Sequence, residues 1–307
     1  MSHGDLQNAD AKSNLGVEIV VRVEVEVGVV VVVKVVVVVG VFSEEHMTEL
    51  KRGLLIGRLG VPGSGKSHFV RTASAIGKTW VAITDPGEAD GYDASVETQQ
   101  FWDTDFFPTL DRWSASGWGD LLKALYALKD RADIAVVGID SMTGVSELIS
   151  HDVRKLTRSQ TLKDVGEYGL GFQKYSGHLR QLLGVLKLLA VGGKHVICTF
   201  HIVAKEQEGA GAAKIEGGDL EFEERLLPAL EGSIRQHVSG DFSVWAFSVL
   251  TGVGVGSKYA VTLLPETGVP AKTRLQPSAE GLKKLGVVNA TRIPNDVKSV
   301  LIALGRE

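Results

Sequence analysis

Residues 60 to 67 read GVPGSGKS, a match to the pattern G-x-x-x-x-G-K-[ST]. Gly60, Gly63 and Gly65 let the main chain curl so that successive N–H groups turn inward on an anion. Lys66 then reaches the outer phosphates of a polyphosphate. The Ser67 hydroxyl is placed to ligate the magnesium that bridges them. The apolar run Gly53-Leu-Leu-Ile-Gly-Arg-Leu59 before the motif has buried-strand character. The segment Ser67 to Ile76 after it predicts a helix that stops at Gly77. Strand, glycine loop and helix is the arrangement that phosphate binding needs, since the helix start adds its dipole. The expected nucleotide-binding set is Gly60, Val61, Pro62, Gly63, Ser64, Gly65, Lys66, Ser67 and His68.

Three more apolar runs follow. Lys78 to Thr84 and Asp133 to Asp140 predict strands, and Lys194 to His201 predicts another. Asp140 ends its strand as a carboxylate that can hold the magnesium's water shell opposite Ser67. Ser141 comes next, where many nucleotide hydrolases carry a Glu that activates water. The base is therefore expected elsewhere, and Asp85 and Glu88 beyond the second strand are the candidates. A solvated turn around Pro86-Gly87 is the plainer reading of both. At the end of the fourth strand, Thr199 or His201 is placed to sense a terminal phosphate, or to be an ordinary satisfied polar group.

Helical periodicity marks Gly119–Lys129, Met142–Val153 and Gln173–Leu189. A short helix opens at Pro294 and stops at Gly305. Helices alternating with apolar strands predict an α/β fold, a mainly parallel sheet covered on both faces. Ser257–Pro265 and Ala271–Leu275 read as a terminal strand pair.

Residues 16 to 42 are a valine tract, 17 of the 27 being Val. Glu18, Arg22, Glu24, Glu26 and Lys34 interrupt it, and each charge is expensive in hydrocarbon, so no membrane span is expected. Valine favours strands, and a strand pair turning near Gly28 fits the alternation of Val21 to Val27. Met47 then opens an ordinary sequence. The expected organisation is a dispensable or mis-assigned leader over residues 1–46 and one domain over 47–307.

A net charge of −4 over 307 residues advertises no nucleic acid globally, so any such contact needs a local patch. Cys198 is the only cysteine, which rules out an internal disulfide and fits a reducing cytoplasm.

On GVPGSGKS, the VVGIDSMT segment around Asp140, the stretch Asp164 to Phe172 and Leu227-Pro-Ala-Leu-Glu-Gly-Ser233, residues from Met47 onward resemble the RecA-like P-loop ATPases. They look most like phage-encoded nucleotide-binding proteins linked to recombination and single-strand annealing. The resemblance implies ATP and Mg2+ as cofactors, ATP hydrolysis, and the host cytoplasm as location. It places the catalytic Glu after the second strand, favouring Glu88. It implies that Lys272 and Arg274, two apart and so on one side of a strand, enter a neighbouring subunit's site in a ring or filament and neutralise charge on the transferred phosphoryl group. The plainer alternative is an exposed basic pair on an edge strand. It also implies a DNA-contacting loop near Arg154, Lys155, Arg158 and Lys163, whose cations suit single-stranded DNA phosphates. A solvated helix face is the alternative there. A second loop, residues 203 to 224, carries Glu206, Glu208, Glu216, Asp219, Glu221, Glu223 and Glu224 against Lys205 and Lys214. That acidity opposes DNA and favours a nucleotide-gated protein-interaction module.

Overall fold

The computed structural model describes residues 16–25, 33–42, 52–85, 90–101, 116–155, 157–205, 225–251, 258–265 and 271–306. The chain divides into two compact units, Met1–Lys51 and Arg52–Glu307. In the first, the valine tract forms β1 (Gly16–Val25) and β2 (Val33–Phe42), paired antiparallel with Gly16 opposite Phe42 and Val25 opposite Val33. The expected strand pair is present, and the turn expected near Gly28 lies outside the described residues.

In the second unit, the apolar runs become β3 (Leu55–Leu59), β4 (Thr79–Ile83), β6 (Val136–Asp140) and β7 (His195–Phe200), with β5 (Val96–Gln100) between β4 and β6 in chain order. Every residue of β3, β4 and β6 is buried, as central parallel strands covered on both faces require. After β7 come a short antiparallel pair, β8 (Ile202–Lys205) and β9 (Arg225–Pro228), and the long β10 (Val244–Thr251). β11 (Lys258–Thr262), β12 (Lys272–Thr273) and β13 (Ile293–Pro294) complete the set.

The main sheet runs β13-β11-β10-β3-β7-β6-β4-β5, with β12 also on β10. From β10 to β5 the pairs are parallel, while β11 and β12 pair antiparallel with β10 and β13 pairs antiparallel with β11. This is the expected fold class, with an antiparallel strand pair toward the C-terminus. The partners within it differ from the expected ones. β11 and β12 do not pair with each other; both use the same edge of β10, at Phe247–Thr251 and at Val244–Trp245.

Two apolar layers cover the sheet. On one face lie α2 (Ser116–Ala127), α3 (Met142–Lys155) and the 22-residue α4 (Leu170–Val191), with Leu121, Leu125, Val145, Ile149, Leu179, Leu182 and Leu186 buried. On the other lie α1 (Lys66–Arg71), α5 (Ala279–Leu285) and α6 (Val297–Ala303), whose Phe69, Val70, Val297, Val300 and Leu301 meet Ile56, Val81 and Val136. Each fully buried aliphatic side chain contributes roughly 1.5–3 kcal/mol. The helix expected to open at Pro294 starts at Val297 instead. Pro294 belongs to β13, and the Asp296 carboxylate caps the helix by accepting from the Ser299 N–H at 2.7 Å. Gly305 ends it at φ 65° as expected.

Candidate functional site

The loop of residues 60 to 65 joins β3 to α1, and its curl depends on two glycines in the left-handed region, Gly63 at φ 74° and Gly65 at φ 75°. A Cβ on Gly60 would lie 2.2 Å from Ser64 Oγ and 2.4 Å from Ser248 Oγ, so only glycine fits there. Those two hydroxyls are bonded to each other at 3.1 Å, tying the loop to β10. The Lys66 side chain is buried, and its Nζ donates to the Val61 carbonyl at 2.9 Å. The ammonium is thereby folded back across the mouth of the loop. Ser67 is half-buried and His68 exposed; a Cβ on Gly91 would sit 3.6 Å from Ser67 Cβ, so the segment after β4 passes over the start of α1.

Asp140 closes β6 on the face that carries α1. Its strand neighbour Gly138 leaves room for α1, since a Cβ there would come within 2.8 Å of Val70. Residues two apart on a strand share a face, so Asp140 points the same way as Gly138. The carboxylate is fully buried. The Thr199 hydroxyl donates to Oδ1, and the Tyr92 hydroxyl donates to Oδ2 at 2.7 Å. Thr199, one of the two residues expected to sense a phosphate, is thus bonded to Asp140. His201, the other, is half-buried just past β7, and its N–H donates to Thr143 Oγ1 at 3.2 Å. Burial holds its imidazole below the usual range, the Lys66 charge adds to that, and Asp85 and Asp140 oppose it. His201 therefore lies within the electrostatic reach of all three groups.

Asp85 is half-buried at the end of β4, while Glu88 lies outside the described residues. Glu147, one turn into α3, is a carboxylate that the sequence reading missed. Burial raises its pKa, the neighbouring Asp85 charge raises it further, and Arg154 opposes them. Nothing in its local sequence sets it apart from other helical glutamates; only the packing of α3 beside the end of β4 does.

A cavity of about 570 Å³ opens beside α1, lined by His68, Tyr259, Arg292, Asn295 and Asp296 among others. A second, of about 460 Å³, lies along α3 and is lined by Glu147, Arg154, Lys163, Phe172 and Glu231 among others. Among the residues expected to meet DNA, Arg154 is committed locally. Its guanidinium donates to the Ser150 carbonyl at 3.2 Å and the Gln160 carbonyl at 2.8 Å, pinning the segment that follows α3. Lys155, Arg158 and Lys163 are exposed, and Arg158 has φ 54°. The same segment presents Tyr168, 93% exposed at φ 55°, a member of the stretch Asp164 to Phe172 to which the sequence assigns no role.

Lys272 and Arg274 lie together but away from the loop of their own chain. Lys272 pairs across from Trp245, and Trp245 in turn from Gly57, three residues before the loop begins. That sets Lys272 roughly 10 Å back along the strand direction and two strands over. Burial lowers the Lys272 pKa, Arg274 lowers it further, and Asp241 opposes both. The Arg274 guanidinium donates to the Gly240 carbonyl.

No helix among the described residues is long and apolar enough to cross a membrane. The chain is similar to the flagellar accessory protein FlaH from Methanocaldococcus jannaschii, at 15% identity and TM-score 0.37, over 73% of this chain and 83% of that one. It is also similar to a KaiC-like protein from the hyperthermophilic archaeon Pyrococcus horikoshii OT3, at 13% identity and TM-score 0.37, over 73% and 84%. No curated protein matches it. The family model described as an AAA domain matches residues 52–275, the stretch holding the loop, Asp140 and β10, and the chain belongs to that family.

Proposed function

We propose that this chain binds ATP with Mg2+ at residues 60–68, hydrolyses it, and uses the cycle in DNA recombination, repair or replication of the phage type. The observation that carries the reading is the meeting of three features on one face of the sheet. These are a loop curled by Gly63 and Gly65, a buried lysine at its mouth, and a buried carboxylate two residues beyond the glycine against which α1 packs. The donor set suits a hydrated magnesium ion, being a hydroxyl at Ser67 and a carboxylate at Asp140 with lone pairs left beyond its two bonds. That ion, when bound, neutralises charge on the outer phosphates.

In this reading Lys66 leaves the Val61 carbonyl for the phosphates, a move that needs only side-chain rotation. The loop's N–H groups hold the phosphate chain, and the cavity beyond His68 takes the nucleoside. Thr199 and Tyr92 orient Asp140, and His201 reports the terminal phosphate. Water is activated by a carboxylate at the end of β4, Glu88 or Asp85, and the position of Glu147 beside Asp85 adds it as a third candidate. Lys272 and Arg274 act on a neighbouring subunit; their distance from their own loop supports that, and a ring or filament follows from it. Residues 1–46 are dispensable for this activity, in keeping with a family match that begins at residue 52.

Exposed Lys155, Arg158 and Lys163 supply phosphate contacts, and the exposed ring of Tyr168 offers a base-stacking face. Of the loop expected over 203–224, residues 203–205 belong to β8 and 206–224 lie outside the described residues; the acidic composition of the latter favours a second reading, a nucleotide-gated protein-interaction module without DNA. ATPase rates with and without single-stranded DNA, at low and moderate salt, separate the two. The DNA reading expects stimulation that fades with salt. Equal rates and no salt-sensitive binding would leave the interaction module.

A further inference from the structure

Arg58 is the second-last residue of β3, one step from the end of the strand that feeds the loop, and its side chain is fully buried. It points to the face that carries α1. Its guanidinium donates to Asn295 Oδ1 at 2.8 Å and lies 5.3 Å from the centre of the Phe69 ring. A further contact to the Leu59 carbonyl is long, at 3.5 Å. Its Nε is buried with no hydrogen-bond partner. No carboxylate among the described residues acts on it, and burial alone pushes its pKa down to about 9. It therefore remains a cation at neutral pH, with no counter-charge among the described residues.

Buried charges are ordinarily paired, because an unpaired one forfeits its hydration. What sits above this one is the loop. Asn295 accepts from Arg58 with its oxygen and donates from Nδ2 to the Gly65 carbonyl at 3.2 Å. The amide is thus fixed in one orientation, carrying the guanidinium's hold to the left-handed glycine that precedes Lys66. Two residues on, the Val297 N–H donates to Thr72 Oγ1 at 3.0 Å, so the same C-terminal segment is also fastened to the far end of α1.

We propose that Arg58 is a positioning residue of the phosphate site, a buried cation whose counter-charge is the bound polyphosphate and whose guanidinium holds the Asn295 amide against Gly65. The inference rests on the nucleotide-binding reading above. Phosphate oxygens carry the charge that no described carboxylate supplies, and the attraction acts through an interior where screening is weak. In the empty protein the same charge is a burden, tolerated because Asn295, the Leu59 carbonyl and the Phe69 ring share it.

The test compares the whole chain with Arg58→Met, Arg58→Lys and Asn295→Ala. Thermal unfolding is followed without ligand, and affinity for ADP and for a non-cleavable ATP analogue, each with Mg2+, is measured by calorimetry. Arg58→Met is expected to unfold at the same or a higher temperature without ligand and to bind the triphosphate analogue about tenfold more weakly. The loss for ADP should be smaller, because the attraction scales with ligand charge. Arg58→Lys should recover most of the affinity, and Asn295→Ala should lose part of it. If Arg58→Met binds both nucleotides as the parent does, or loses affinity for both equally while its unfolding temperature drops, Arg58 is a structural residue and the inference is overturned. Should Arg58→Met fail to fold, parental affinity in Asn295→Ala overturns it. A parent chain that binds neither nucleotide removes the ATP reading itself, and this inference with it.

Discussion

The Tyr92 hydroxyl donates to Oδ2 of Asp140 at 2.7 Å, across 48 residues of sequence, while Thr199, on the neighbouring strand β7, holds the other oxygen. A carboxylate fixed from both sides has one orientation to offer a metal. Such outer partners typically account for a 10–100-fold difference in metal affinity. Tyr92→Phe is predicted to raise the Mg2+ concentration needed for nucleotide binding by roughly tenfold with the fold intact. A magnesium titration of analogue binding in the variant and parent reads this directly; superimposable curves would show that Tyr92 does not serve the site.

Lys66 supplies the ammonium at the mouth of the loop. Hydrogen bonds to charged groups contribute about 1.5–3 kcal/mol, so Lys66→Ala is predicted to weaken ATP binding about tenfold to a hundredfold. Calorimetry with a non-cleavable analogue measures it. Unchanged affinity would falsify the assignment of the loop.

Gly138 is where α1 rests on β6. A methyl there would meet Val70 at 2.8 Å and Val81 at 2.9 Å. Gly138→Ala is predicted to destabilise the protein by about 1–3 kcal/mol, the usual range for overpacking a dense core. Nucleotide affinity should fall as well, because α1 and the loop shift together. Denaturant midpoints for the variant and parent, with binding measured alongside, decide it; a neutral substitution would mean the sheet gives way freely at that point.

Arg274 donates to the Gly240 carbonyl in its own chain and lies far from its own loop. Arg274→Ala is predicted to leave nucleotide binding near the parental value and to cut hydrolysis by one to two orders of magnitude, about 1.4–2.7 kcal/mol of transition-state stabilisation. Mixing it with Asp140→Ala chains should restore part of the activity if sites form between subunits. Equal hydrolysis by Arg274→Ala and the parent, or no recovery in any mixture, would assign Arg274 to the sheet edge.

His151 is half-buried on α3. Burial comes first, then the Arg154 and Lys155 charges, and together they push its imidazole down to about 4 from an ordinary 6.5. Between those values the unfolded chain holds the extra proton and the folded chain does not. Stability therefore falls as pH drops from 6.5 toward 4. His151→Asn is predicted to flatten that fall while changing little at pH 7. Urea midpoints of variant and parent at pH 7 and pH 5 test it, and parallel losses in the two proteins would place the acid sensitivity elsewhere.

The motif, the strand before it and the carboxylate at the end of a later strand were legible in the chain because each is a local pattern. GVPGSGKS needs glycines at set spacings, a buried parallel strand needs a continuous apolar run, and α4 announces itself by its leucine period. Those same patterns determined the fold class and the helix-covered sheet. The strand partners at the C-terminus were not legible, since which edge a short strand takes depends on what β10 leaves open. Nor was the start of α6, where the Asp296 cap outweighs the preference of Pro294 for a first turn.

Tertiary structure alone decided the company that the site residues keep. Tyr92 and Thr199 come to Asp140 from 48 and 59 residues away, and Arg58 reaches Asn295 across 237. An arginine in an apolar strand reads from sequence only as an interruption. Once folded it is a charge with no carboxylate beside it among the described residues, held by an amide beneath the glycine loop, because burial strips away its water and packing chooses what replaces it.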